Sequence, residues 1–245
     1  MASEEHSHLI GDYPDSLRYE LKMACQESAY SQVQAHLRLD PTAPRVLYPP
    51  RRVQSIYLDT TFGRALEENL AGISHREKIR LRWYGDSAVG VRATLERKVR
   101  ENTLGWKDTL KLAQPLDIEG VDRVAFIRSL RAAVTSPWQQ SLDEGLEPVQ
   151  WIAYQREYLT TADGRIRITI DRELRAVDLR GRWILSSVDP TPIPRVLVIE
   201  AKCAPEDYQA AQSLLSRLPF FVDRCSKFVL ASDPDHGPVP SAMPI

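Results

Sequence analysis

The sequence predicts an α+β domain whose strands form a mostly antiparallel barrel with an ionic interior. Basic and acidic side chains stand two residues apart within strand-like stretches: Arg18-Tyr19-Glu20-Leu21-Lys22, Lys78-Ile79-Arg80-Leu81-Arg82, Glu96-Arg97-Lys98, Arg165-Ile166-Arg167 and Glu200-Ala201-Lys202. Successive side chains of a strand point to opposite faces, so each set falls on one face. Hairpin signals dominate over helical ones, among them Ala162-Asp163-Gly164 and the Gly85-Asp86 turn. A flat sheet that turns all these charges to water has the same alternation. The recurrence in segments far apart in sequence favours enclosure instead. An enclosed ionic face is costly to desolvate when empty, so it implies a polyanion as its occupant.

The elements follow in order along the chain. Residues 1–15 are polar and read as a disordered N-terminus, 16–231 as a single domain, and 232–245 as a disordered Pro-rich tail. A strand is expected over 17–23. Ala24, Ala29, Val33 and Leu37 then stand at helical spacing, ending before Asp40-Pro41. Pro41, Pro44, Pro49 and Pro50 mark a loop, and Val53–Asp59 a strand. A short helix over 62–70 stops near Gly72, and 75–85 pairs with 91–100 as a hairpin. Val121, Val124, Ile127, Leu130 and Val134 give an amphipathic helix over 121–134. Strands follow over 151–160 and 165–171, with a short one over 181–186 and another over Arg195–Cys203. Pro205 opens a last long helix to about Leu218, and a short segment over Ser226–Leu230 closes the domain.

Composition narrows the function. The 245 residues carry 32 basic and 33 acidic side chains, a net charge of −1, which argues against a surface that coats nucleic acid. An anion site must therefore come from segregation, with bases inside and acids outside. Three cysteines (Cys25, Cys203 and Cys225) without CxxC spacing fit a reducing, cytoplasmic setting and simple packing. No signal-peptide pattern and no apolar run of bilayer length is present. Walker and Rossmann glycine motifs, HExxH spacing and a spaced tryptophan platform for bases are absent too. Asp59 and Asp171 read as structural.

The ordered set R-Y-E-L-K, I-Y-L-D-T, K-I-R-L-R-W-Y, L-E-R-K, Y-Q-R, R-I-T-I-D, V-I-E-A-K and C-S-K-F resembles the VTC domain. This is the polyphosphate polymerase domain of the vacuolar transporter chaperone family, within the triphosphate tunnel metalloenzymes. The resemblance runs from about Leu17 to Leu230 and implies an eight-stranded antiparallel tunnel barrel with helices packed outside. It implies Lys22, Arg80, Arg82, Lys98, Arg156 and Lys227 as catalytic residues. Arg18, Lys107, Tyr154, Arg167, Lys202, Arg224 and Ser226 follow as phosphate ligands. Glu200 is implied as the main ligand of Mn²⁺ or Mg²⁺, with Glu20 and Glu96 as further candidates that could instead hold neighbouring bases. Lys78 and Arg165 share the parity and are expected at the rim.

Many tunnel triphosphatases begin Glu-x-Glu-x-Lys, whereas this chain has Arg18-Tyr19-Glu20-Leu21-Lys22. Exchanging an acid for a base favours bare phosphates over a second metal. The expectation is transfer of the terminal phosphate of ATP to a polyphosphate chain. A triphosphatase and a non-catalytic polyphosphate-binding module remain as alternatives. Membrane-bound relatives carry extra membrane and regulatory parts, so the resemblance implies either action alone in the cytoplasm or work with a separate membrane-protein partner. A crowded basic interior also predicts that Arg80→Ala or Arg82→Ala leaves the empty fold intact or more stable.

Overall fold

The computed structural model describes residues 19–101, 104–188, 195–220 and 225–232. The expected disordered N-terminus and all but the first residue of the Pro-rich tail lie outside them. Eight strands form one sheet: β1 (Tyr19–Gln26), β2 (Arg45–Asp59), β3 (His75–Tyr84), β4 (Thr94–Glu101), β5 (Leu104–Lys111), β6 (Glu147–Thr160), β7 (Arg167–Asp178) and β8 (Val196–Cys203). Their order is β1-β8-β7-β6-β2-β3-β4-β5, antiparallel throughout.

The sheet curls, and side chains bridge its open seam. Lys98 on β4 reaches Glu20 on β1 at 2.8 Å, although these strands stand near opposite ends of the order. Other bonds skip a strand: Arg82 on β3 donates to the Tyr154 hydroxyl on β6 at 3.0 Å, and Arg156 on β6 lies 3.5 Å from Glu200 on β8. All these residues share one face, so that face is concave and the sheet wraps around it as a tunnel.

The alternate positions form the convex face, where two apolar cores lie. Over β2, β3 and β4, Ile56, Leu81, Trp83 and Leu95 pack against α3 (Arg123–Ala132) and α4 (Trp138–Asp143) through Phe126, Leu130, Trp138 and Leu142. Over β1, β7 and β8, Met23, Ile168, Ile170 and Ile199 pack against α1 (Tyr30–Leu39) and α5 (Tyr208–Ser216) through Val33, Leu37, Ala211 and Leu215. Each buried Val, Leu, Ile, Phe or Met among them contributes about 1.5–3 kcal/mol by leaving water. The two cores hold the curvature from outside while the charges occupy the inside.

The helices pack outside, as expected, with one exception. Helix α6 (Lys227–Ser232) enters the concave face, with α2 (Arg64–Leu70) packed against it. Phe228 stacks on Tyr57 at 4.8 Å, and Leu230 joins Ala24 and Val198. This apolar plug closes one end of the tunnel.

Several boundaries differ from those read in the sequence. Residues 24–26 extend β1 and a 3-10 turn over Glu27–Ala29 precedes α1. Met23, Ala24 and Cys25 are all buried, and a strand covered on both faces loses its period-two signal. The proline loop before residue 53 is strand instead, because β2 begins at Arg45. Pro49 and Pro50 lie within a register shift between Tyr48 and Arg51, where β3 no longer pairs with β2 and no donor is missed. Strand β5 and helix α4 were not expected. Helix α2 begins two residues later than read, and β7 continues past a bulge to Asp178. The strand expected over 181–186 reduces to one bridge between Ile184 and Asp122.

Leu81, fully buried under α3 and α4, tests the outer core. Leu81→Ala is expected to lower stability by about 2–5 kcal/mol in urea titrations. A loss below about 1 kcal/mol would contradict the packing described.

Candidate functional site

Strand register assembles the charges into one ring. Across β1 and β8, Glu20 faces Lys202 and Lys22 faces Glu200. Thr169 on β7 faces Glu200, and Arg156 on β6 faces Asp171 on β7. On the other wall Ser55 faces Arg82, Tyr57 faces Arg80, Arg80 faces Glu96, and Lys98 lies between Lys78 and Lys107. No single strand supplies the site. Closure brings its two walls together.

Four carboxylates organise the bases. Asp171, fully buried, accepts two bonds from Arg156, at 2.5 and 2.6 Å, and lies 2.6 Å from the Lys227 ammonium. Glu200 meets Lys227 at 3.2 Å, Lys22 at 3.4 Å, Arg156 at 3.5 Å and Lys202 at 3.7 Å. Glu96 accepts from Arg80 at 2.7 Å and Lys107 at 3.0 Å, with Arg82 at 3.5 Å. Glu20 holds Lys98 at 2.8 Å and Lys22 at 3.2 Å. Tyr57 accepts from Arg80 at 3.0 Å, and Lys78 donates to Ser226 at 2.9 Å.

The protonation states follow from this geometry. Burial would raise Glu200, but Lys22, Lys227, Arg156 and Lys202 overrule it and hold the carboxyl well below its usual range. The same competition keeps Glu96 low beside Arg80 and Arg82, Asp171 low beside Arg156 and Lys227, and Glu20 low beside Lys22. Burial would lower Lys227, yet Asp171 and Glu200 push it above an ordinary lysine. Lys78 goes the other way. Burial and then the neighbouring charges of Lys22, Lys98, Arg76 and Arg80 pull it well below its usual value. Lys202 is also lowered, chiefly by burial. Charge in the tunnel is therefore uneven: Asp171 and Glu200 lock Arg156 and Lys227, and Glu96 locks Arg80, while Lys78, Lys98 and Lys202 are strained as cations.

Nearly all the residues expected from the sequence converge here. Lys22, Arg80, Arg82, Lys98, Arg156, Lys202 and Lys227 line the ring with Tyr154, Ser226, Glu20, Glu96 and Glu200. Lys107 and Arg167 share the face but are exposed, at the mouth. Arg18 and Arg224 lie outside the described residues. Arg165 is not a tunnel residue: it is exposed and pairs with Asp207 at 2.5 Å. Lys78 lies inside, because Ser226, just before α6, and the Phe228 ring of α6 cover it. Asp171 is no mere strand end but an anchor of the ring. Its even spacing from Arg167 was the available signal. Asp59 does serve structure, accepting from the backbone amides of Ala65 and Leu66 at the start of α2. The three cysteines are buried, and burial pushes the Cys25 thiol up to about 11, away from reactivity.

Two carboxylates of this ring converge on one cation. Glu20 and Glu200 both lie within 3.4 Å of the Lys22 ammonium, between adjacent strands. Hard oxygen donors around a position that already takes a positive charge fit Mg²⁺ or Mn²⁺, which commonly binds one or two carboxylates and completes its shell with phosphate and water. Among the described residues no cluster of three or more His, Cys, Asp or Glu forms a closed metal cage.

An antiparallel tunnel whose concave face gathers, among the described residues, Lys22, Lys78, Arg80, Arg82, Lys98, Lys107, Arg156, Arg167, Lys202 and Lys227 around Glu20, Glu96, Asp171 and Glu200 defines a phosphate-binding class of protein. The family model described as the VTC domain matches residues 17–233, and the chain belongs to that family. Among solved structures it is similar to a protein from Vibrio parahaemolyticus provisionally assigned as an adenylate cyclase. That match has 11% identity and a TM-score of 0.51, covering 89% of this chain and 98% of that one. This likeness shows the shared tunnel fold. A similarity to the Mediator head module of Schizosaccharomyces pombe, at 9% identity over 82% of this chain and 92% of that one, has a TM-score of 0.46 and carries no argument. No curated protein matches the chain. Family and fold together support a function directed at triphosphate or polyphosphate. Among the described residues no helix is long and apolar enough to cross a membrane.

The network corrects the expectation that losing Arg80 or Arg82 spares the empty fold. Arg80→Met leaves buried Glu96 short of a partner and is expected to cost about 2 kcal/mol or more. Lys78→Met removes a repelled charge and is expected to be neutral or stabilising. Because folded Lys78 gives up its proton more readily, the unfolded chain binds more protons between that depressed value and the ordinary lysine value. This group's contribution to stability therefore rises with pH across that window. Urea melts of both variants at neutral pH decide. Equal losses would overturn the division into paired and strained bases.

Proposed function

We propose that the protein is a metal-dependent polyphosphate polymerase that transfers the terminal phosphate of ATP to a polyphosphate chain and releases ADP. One observation supports this most: every carboxylate in the ring is matched to bases and held ionised, while bases outnumber acids. Such a face attracts a chain of phosphates. Its carboxylates are poor proton acceptors, and a polymerase needs none. The attacking terminal phosphate is already an anion. Its oxygen bonds to the γ-phosphorus, the bond to the β,γ-bridging oxygen breaks, and ADP leaves with that electron pair.

The residues position and neutralise, which is most of what phosphoryl transfer asks of a protein. Arg80, Arg82 and Arg156 present guanidinium forks to phosphate oxygens, and Lys22, Lys98, Lys202 and Lys227 add point charges. Asp171 and Tyr154 aim Arg156, Arg82 and Lys227 inward. Helix α6 excludes water from one end. Glu200 with Glu20 would hold Mn²⁺ or Mg²⁺, which would neutralise charge developing on the phosphates. In this reading ATP is the cytoplasmic donor, and any membrane association runs through a separate partner.

A second reading, hydrolysis of triphosphate, has one observation in its favour. A Lys78 amine with a depressed pKa can accept a proton from water. Incubating purified protein with ATP and Mn²⁺ separates the readings. Acid-stable chain product with matching ADP is expected, and Glu200→Gln is expected to reduce turnover at least about a hundredfold while triphosphate still binds. Phosphate release without chains would support the hydrolase. Tight binding with no turnover would leave only a binding module.

A further inference from the structure

A cation and three aromatic rings stand at the tunnel end opposite α6. The Arg51 guanidinium lies 5.5, 5.2 and 5.1 Å from the ring centroids of Tyr48, Tyr84 and Tyr158. Tyr48 and Tyr158 meet edge to face at 5.8 Å. Tyr48 is 45% and Tyr84 52% exposed, and Arg51 is exposed as well. Among the described residues no carboxylate pairs with Arg51.

The arrangement depends on the Pro49-Pro50 bulge. Tyr48 and Arg51 are three residues apart and would face opposite ways on a regular strand. Across the bulge they pair with Tyr158 and Arg156, only two residues apart on β6, so both turn to the concave face. Tyr84 pairs with Val53 on that same face. The cluster is therefore continuous with the phosphate ring. Tyr158 stands two residues beyond Arg156 and Tyr84 two beyond Arg82, about 7 Å along their strands. That distance suits a sugar between a phosphate in the ring and a base at the rim.

Open aromatic faces around an arginine without an acidic partner match a flat heterocycle joined to a phosphate. A base stacks on a tyrosine face, and the guanidinium serves an α-phosphate or ribose oxygen. Bare polyphosphate has no use for the rings. We propose that Tyr48, Arg51, Tyr84 and Tyr158 form a nucleoside subsite, which seats the base and ribose of the donor at this mouth and points its phosphates toward α6. The subsite rests on the reading above only in needing a triphosphate in the ring.

Calorimetric titration of ATP and of inorganic tripolyphosphate tests it, using wild type, Tyr84→Leu and Tyr158→Leu, with thermal melts confirming that the variants fold. Each variant is expected to lose roughly tenfold in ATP affinity and to hold tripolyphosphate within about twofold of wild type. Parallel losses for both ligands would make the rim a general anion mouth and overturn the subsite. Unchanged ATP binding in both variants would overturn it too. Wild type that binds neither ligand would remove the ring assignment and the rim with it. Wild type that binds tripolyphosphate better than ATP, with variants unchanged, would remove the subsite alone.

Discussion

Like charges in a confined space govern this molecule. Around the concave face, cations stand closer together than water alone would tolerate, and four carboxylates hold them there. Asp171 and Glu200 clamp Arg156 and Lys227, Glu96 clamps Arg80 and Lys107, and Glu20 ties the seam through Lys98. The carboxylates make the fold possible, and the surplus of bases makes it useful. A fully neutralised ring would have little electrostatic affinity for phosphate, and a ring of bases alone would not close. The apolar cores outside resist the tendency of such a face to open.

The same balance gives the tunnel a direction. Helix α6 fills one end with Phe228 and Leu230 and places Lys227 at the edge of that plug, against both central carboxylates. The other end stays polar and aromatic. Stability and binding also pull on pH differently. The carboxylates, held low by their partners, contribute stability above the usual carboxyl range and lose it as acid protonates them. Lys78 contributes more as pH rises, yet binds an anion better when protonated.

Much of the fold was legible because charge alternation is a strong period-two signal. Lys78, Arg80 and Arg82 alternate with Ile79, Leu81 and Trp83, and the structure divides them as that alternation demands: bases inside, apolar residues in the outer core. Glu20 and Lys22 with Leu21 and Met23 behave alike. Three things were not legible. Met23, Ala24 and Cys25 are buried on both faces, so no alternation marks β1 there. The Pro49-Pro50 bulge hides a strand behind residues that signal a loop, and with it the parity of Tyr48 and Arg51. Helix α6 is too short to show a pattern, and its burial inside the sheet depends on long-range closure. The acids were underestimated for a related reason: Asp171 stands alone in sequence and acquires its partners only when β6, β8 and α6 meet.

Whether a surplus of strained cations waits for an anion is best measured by counting protons. Tripolyphosphate, titrated calorimetrically at about pH 9 in buffers of different ionisation enthalpy, should draw protons onto the tunnel as Lys78 and Lys202 regain full charge. Wild type should take up more protons than Lys78→Met. Binding with no difference between the two proteins, or no binding to either, would contradict the account.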